Sequence, residues 1–376
     1  MYNLIRRWLH MHPDHVCVEG DESNAFQRVS CPEMRRQLAE HFPEMVPYFA
    51  GAYDSAAELC YGTRRIPSTH SVHGCQQGCS WGMFLFGAAR WRDLATLIAA
   101  HPECLILSYA DDIFIVGPPA AAAAAFSHWD ALVSAHGGAV NRSKCAVWSP
   151  SPTVMLCDEM MALASESPAG AVVRPPLLPG VRLIPSTWGM KVLGHPLGSE
   201  IFCRQHYEEV ATRTEDSVVA IKRMAAYHAP AALQVAYLQL RYCAEPRIAH
   251  LLRVAMPDLI RDAAGKHDLA IRDGLNTLLG EGDLLQLTPG LGRWARAFTQ
   301  HGRECPSSRV FEYLATMSAE QAQLPLRRGG LGLPAAVDVS PAAFIGGMAS
   351  TARFLARGLG VWATTCECRV HNSRKN

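Results

Sequence analysis

The sequence predicts an α+β fold, with an antiparallel sheet backed by helices over residues 1 to 150 and a helical region after it. Three observations lead there. The stretch "LILSYADDIFIVG", residues 105 to 117, joins two short runs rich in β-branched and aromatic residues, as a buried hairpin should. Short apolar runs of this kind alternate with longer segments opened by proline or glycine, in the order strand, helix, helix, hairpin, helix, strand. From about residue 205 the pattern turns helical. With 376 residues, the chain has room for two or three domains with a core each.

Each element has its own local signal. Residues 14 to 21, "DHVCVEGD", read as a strand ending in an acid. A helix starts in "SCPEMRRQLAEH", with Ser30 as N-cap and Pro32 in its first turn, and a second helical segment follows around "FPEMV". After a loop, "GCQQGCSWGMFLFGAARWRDLATLIAA" opens on glycines and continues as a long helix. The hairpin comes next, then the Pro-initiated, Ala-rich helix "PPAAAAAAFSHWDALVSAHGG", stopped by glycine, and a further strand in "AVNRSKCAVWSP". The proline-rich interval 151–187 reads as an insertion or linker. Residues 188–204, with "WGMKVLGHPLGSEIF", suggest a small hairpin, and 205–300 and 301–376 divide the helical remainder. No internal repeat is visible.

Composition narrows the function classes. Hydrophobic residues make up 49% and charged residues 18%, so the chain is globular rather than disordered. The net charge of +1 offers no global attraction to nucleic acid, and any such binding must come from local patches. Thirteen cysteines occur without a C-x-x-C pair; Cys75 and Cys79, or Cys366 and Cys368, lack a matching second half of a zinc site. They read as free thiols in an intracellular, reducing compartment. No apolar run approaches the roughly 18 residues of a membrane span, and the first fifteen residues lack a signal-peptide core. His10, His12 and His15, without acidic or Cys companions, read as loop residues.

Asp111 and Asp112 raise the functional question. Two ionised carboxylates about 4 Å apart repel by roughly 4 kcal/mol at an effective dielectric of 20. Protonation, a basic partner or a bound cation relieves this. A hairpin whose acids face water is the plain alternative.

Five blocks in one order resemble the reverse transcriptase of non-LTR (LINE-type) retrotransposons, a much more specific signal than "YADD" alone. "DESNAF" resembles the first catalytic block, an acid followed after two residues by Asn-Ala-Phe. "GCQQGCSWGMFLF" resembles the second, "YADD" the third, and "NRSKC" and "LGHPLG" the two that follow. "LPLRRGGLGL" is similar to a segment beyond the thumb. The resemblance spans about residues 14 to 350 and implies a right-hand polymerase palm over 1–150, a primer-grip hairpin at 188–204, a helical thumb over 205–300 and a C-terminal helical extension.

The implied activity is RNA-directed DNA polymerisation: deoxynucleoside triphosphates are added to a DNA primer on an RNA template. Asp21, Asp111 and Asp112 would hold two Mg²⁺ ions, with Mn²⁺ as a substitute, because hard divalent ions favour carboxylate oxygens and a metal pair serves both ends of an in-line displacement. Lys144 would place an ammonium near the leaving pyrophosphate. Phe26, Gln77, Gly78 and Tyr109 would line the nucleotide site, Phe26 under the sugar. Leu193, Gly194 and Gly198 would form the primer grip, and Arg241, Arg247 and Arg253 would touch nucleic-acid backbone. Plainer roles stand beside these: a strand-end acid or helix cap for Asp21, core packing for Phe26, a helix-start turn for Gln77 and Gly78, and solvated or acid-paired cations for Lys144 and the arginines.

The chain departs from the pattern at three points. It starts just before the first catalytic strand, so the fingers are expected to be missing and supplied by a longer polyprotein. Cys79-Ser80 stands where Asp-Pro usually follows Gln-Gly. No endonuclease-like region or zinc knuckle is present. A non-catalytic retrotransposon remnant that keeps palm and thumb is therefore the alternative to the enzyme, and an active element implies a nuclear location.

Overall fold

A computed structural model describes residues 1–55, 57–61, 63–71, 73–76, 78–152, 154, 180–227, 231–278, 322–324 and 331–359. Gln77, most of the proline-rich interval, the arginine pair of "LPLRRGGLGL" and the last seventeen residues lie outside them. The architecture is α+β. Two compact units form: one holds Asn3–Met190 and Leu197–Ser199, the other Lys191–Pro196 and Glu200 onward.

In the first unit, helix α1 (Tyr2–Met11) leads into strand β1 (Val16–Gly20). Helices α2 (Ala25–Arg28), α3 (Cys31–His41) and α4 (Val46–Tyr53) follow, then strands β2 (Ala57–Tyr61) and β3 (Arg64–Ser71) and the long helix α5 (Gly82–Ala100). Strands β4 (Leu105–Tyr109) and β5 (Asp112–Gly117), helix α6 (Pro119–Ala135), and strands β6 (Ala146–Trp148) and β7 (Arg182–Leu183) complete the main sheet. Its order is β4-β5-β1-β6-β7. Strand β1 is central and antiparallel to both β5 and β6, with Gly20 opposite Ile113 and Val18 opposite Val147.

One face of this sheet buries Val16, Val18, Ile106, Ile113, Ile115 and Val147 against Phe126, Trp129 and Val133 of α6 and Leu97 of α5. The alternate residues Cys17, Phe114, Val116, Ala146 and Trp148 are buried as well. The sheet is thus covered on both faces over part of its area, where the sequence predicts cover on one; the unbroken run "IFIV" of β5 is the pattern of a strand buried on both sides.

Three other expectations change. The loop expected before the long helix contains the β2–β3 hairpin, with an irregular register between Glu58 and Cys60. The last pair of the sheet, β6–β7, is parallel. His10 belongs to α1 rather than a loop, and Trp8 Nε1 donates to His15 Nδ1 at 2.9 Å while the His12 and His15 rings stack at 4.7 Å. The N-cap at Ser30 is as expected: its Oγ accepts from the Glu33 N–H.

A tight hairpin of strands β8 (Gly189–Val192) and β9 (His195–Gly198) follows, then helices α7 (Glu200–Tyr227), α8 (Ala231–Gln239), α9 (Ala249–Leu252), α10 (Pro257–Leu278) and α11 (Ala336–Leu359). The second unit is helical. Its core brings Tyr207, Val210 and Ala211 of α7 against Ile260, Ala263 and Ala264 of α10, and Val218 and Ile221 against Ala270, Ile271 and Leu275. No helix among the described residues is long and apolar enough to cross a membrane.

Candidate functional site

The carboxylates come together because β1 and β5 are neighbours. The register that sets Gly20 against Ile113 carries Asp21, the next residue, to the Asp112 end of β5. Tyr109 and Asp112 close the β4–β5 hairpin as a pair, leaving Ala110 and Asp111 as its two-residue turn. Ala110 adopts φ 54°, a left-handed conformation that costs an L-residue roughly 1–2 kcal/mol. Such strain persists only where the surroundings hold it, and it projects Asp111 beyond the sheet end.

A cleft of about 400 Å³ opens there, and Asp21, Phe26, Asp111, Asn141 and Lys144 are among its lining residues. Residues ninety positions apart thus share one cleft. The segment 21–23 is zipped to 139–141: the Asn141 N–H donates to the Asp21 carbonyl at 2.8 Å and the Ser23 N–H to the Ala139 carbonyl at 2.7 Å. This places Lys144, in the turn before β6, with Nζ 3.9 Å from Asp21 Oδ2. Phe26 lines the cleft and also stacks on Phe86, at 4.5 Å between centroids.

Charge is crowded. Burial raises the Asp112 carboxyl above the ordinary carboxylate value, and the charges of Asp111 and then Asp21 push it further. Glu19, two residues before Asp21, is pushed up to about 7 by burial and by Asp112 and Asp21, with Arg182 acting in the opposite direction. Hard oxygen donors and mutual repulsion are what a divalent cation needs and relieves. Among the described residues, however, no group of three or more His, Cys, Asp and Glu side chains converges as metal ligands would. The expected three-carboxylate centre is not preassembled.

The remaining expected residues are dispersed. Tyr109 is exposed at the end of β4. Gly78, at φ 85°, has open space around it and is not among the residues lining the cleft; Gln77 lies outside the described residues. Leu193 and Gly194, both at positive φ, form the two-residue turn of the β8–β9 hairpin, and Gly198 ends β9. In the second unit the Arg241 guanidinium lies over the Tyr242 ring and against Gly332, Arg247 donates to the Cys243 carbonyl within its own helical segment, and Arg253 is exposed.

Sequence reasoning missed Glu19, Glu22 and Arg90. Glu22 is buried, with its side chain 3% exposed, and pairs with Arg90 of α5. No local signal links two residues 68 positions apart. An acid alternating with Asp21 along β1 was the only available pointer to Glu19.

No protein-family model matches the chain, and no curated protein matches it. Among solved structures it is similar to apo telomerase from Candida tropicalis, at 11% identity and a TM-score of 0.36 over 94% of this chain and 55% of that one. The same enzyme in complex with the TWJ fragment of telomeric RNA gives 11% and 0.35 over 96% and 52%, and the corresponding complex from Candida albicans 9% and 0.30 over 80% and 51%. The chain spans just over half the length of these three structures. Likenesses this distant assign neither a family nor an activity.

Proposed function

We propose that the chain is an RNA-directed DNA polymerase domain of the retrotransposon type, extending a DNA primer with deoxynucleotides on an RNA template. One observation carries this reading: Asp21 at the end of β1 and Asp111 in the β4–β5 turn line the same cleft, with Asp112 close enough for its carboxyl to feel both. Mg²⁺, or Mn²⁺ in its place, would be held by Asp21, Asp111 and Asp112 and would supply charge stabilisation at the attacking and departing oxygens. Phe26 gives the cleft an aromatic wall on which a sugar can rest. Lys144, 67% exposed, sets a cation at the cleft rim where a triphosphate enters. The second unit would act as the thumb, with Arg247 and Arg253 exposed toward a nucleic-acid backbone.

The missing preassembled three-ligand centre favours a second reading, a remnant that binds nucleic acid without polymerising. Primer extension by the full chain, with Mg²⁺ or Mn²⁺, separates the two. The enzyme reading expects extension that Asp111→Asn lowers by more than about 100-fold, since it removes a charge at the reacting centre with little change of shape. Unchanged circular dichroism of that variant checks the fold. Extension by Asp111→Asn at the parental rate overturns the assignment.

A further inference from the structure

We infer that Arg90 is a positioning residue for the cleft, acting through a buried ion pair with Glu22; the inference rests on the polymerase reading and deepens it. Arg90 sits on α5, behind the cleft rather than in it. Three of its contacts reach the parts that the reaction would use. Its guanidinium pairs with Glu22, the residue after Asp21, and both side chains are shielded, at 15% and 3% exposure. It lies over the Phe86 ring, 5.9 Å from the centroid, and Phe86 in turn stacks on Phe26. It also lines a small pocket together with Ala110 and Asp111 of the strained hairpin turn. One side chain thus braces the Asp21 segment and the Phe26 wall and stands beside the Asp111 turn.

The surroundings are shaped for the pair. A Cβ added at Gly138 would stand 2.6 Å from Val133 Cγ1, 2.7 Å from Glu22 Oε1 and 3.0 Å from Arg90 Nη2, so a larger residue there would push against both members of the pair. Asp93 supports Arg90 from one helical turn further on, at 3.6 Å, and is itself held by His136 at 3.2 Å. An arginine suits this place because its flat fork can pair with a carboxylate and lie over a ring simultaneously, which lysine cannot do. Reacting groups misplaced by about 1 Å can cost on the order of 100-fold in rate, so a brace behind the carboxylates matters to turnover more than to nucleotide affinity.

The test uses the full chain carrying Glu22→Leu with Arg90→Met. Removing both charges together leaves no unpaired Glu22, and Asp93 keeps His136 at 3.2 Å, so the fold should survive. The expected result is a thermal midpoint close to the parent's, turnover in primer extension lowered at least about tenfold, and a KM for deoxynucleotide within about threefold of the parent's. Should the double variant fail to fold, Arg90→Lys keeps a charge against Glu22 and gives up the contact over Phe86; the same split between kcat and KM is expected of it. A folded variant that turns over at the parental rate overturns the positioning role while leaving the polymerase reading intact. A parent that neither extends primers nor binds Mn²⁺ by calorimetry overturns both.

Discussion

Asn24 shows what the Asn-Ala-Phe block does physically. It sits at φ 50° as the N-cap of the four-residue helix α2, turning the chain from the strand end at Asp21 into Phe26. Asparagine tolerates this left-handed region better than other side chains, and β-branched residues tolerate it worst. The side chain is exposed and makes no capping hydrogen bond, so the backbone conformation alone sets the cost of replacing it. Asn24→Val should lower stability by about 1–2 kcal/mol and Asn24→Gly should be neutral or slightly stabilising, as measured by urea unfolding. At this scale residue type and order singled out Asp21, Asp111, Phe26 and Lys144, and all four line one cleft. It was silent on Glu22 and Arg90, whose meeting depends on how α5 packs, and on Glu19, whose burial depends on what covers the far sheet face.

Elements were legible where they carry punctuation of their own. Ser30 and Pro32 announce α3, Pro119 announces α6, and the two apolar runs around Ala110 and Asp111 announce their hairpin. The β2–β3 hairpin went unseen because Pro67, which lacks an N–H, lies in the middle of β3 and argues against a strand. The two-residue strand β7 is too short for any periodicity. Caps are also where an element's stability can be tested by one atom. Ser30→Ala removes the acceptor of the Glu33 N–H and should destabilise the first unit by about 1 kcal/mol, with Ser30→Asp restoring most of it. A loss below a few tenths of a kcal/mol in the same unfolding assay would mean that packing of Met34 and Leu38, not the cap, holds the start of α3.

For the whole molecule, net charge is near zero at pH 7, so general repulsion is small there and buried groups that resist protonation are the first source of acid sensitivity. His267 is the clearest in the second unit. It lies on α10, 1% exposed, with Nδ1 3.2 Å from Thr214 Oγ1 of α7, where it helps join the two long helices. Burial pushes its pKa down to about 4, against a hydrogen bond with the Glu245 backbone that acts the other way. An unfolded chain takes up this proton near pH 6.5, while the folded chain refuses it until about 4. The stability contributed by neutral His267 is therefore full above pH 6.5 and declines as pH falls toward 4, by at most about 3 kcal/mol. Urea midpoints at pH 7.5 and 5.0 should fall with pH in the parent, and the fall should be shallower in His267→Gln, which keeps a polar group toward Thr214 but has no proton to gain. Equal slopes in the two chains would show that other histidines held below their ordinary value, such as His195 and His250, and not this one between α7 and α10, govern the acid response.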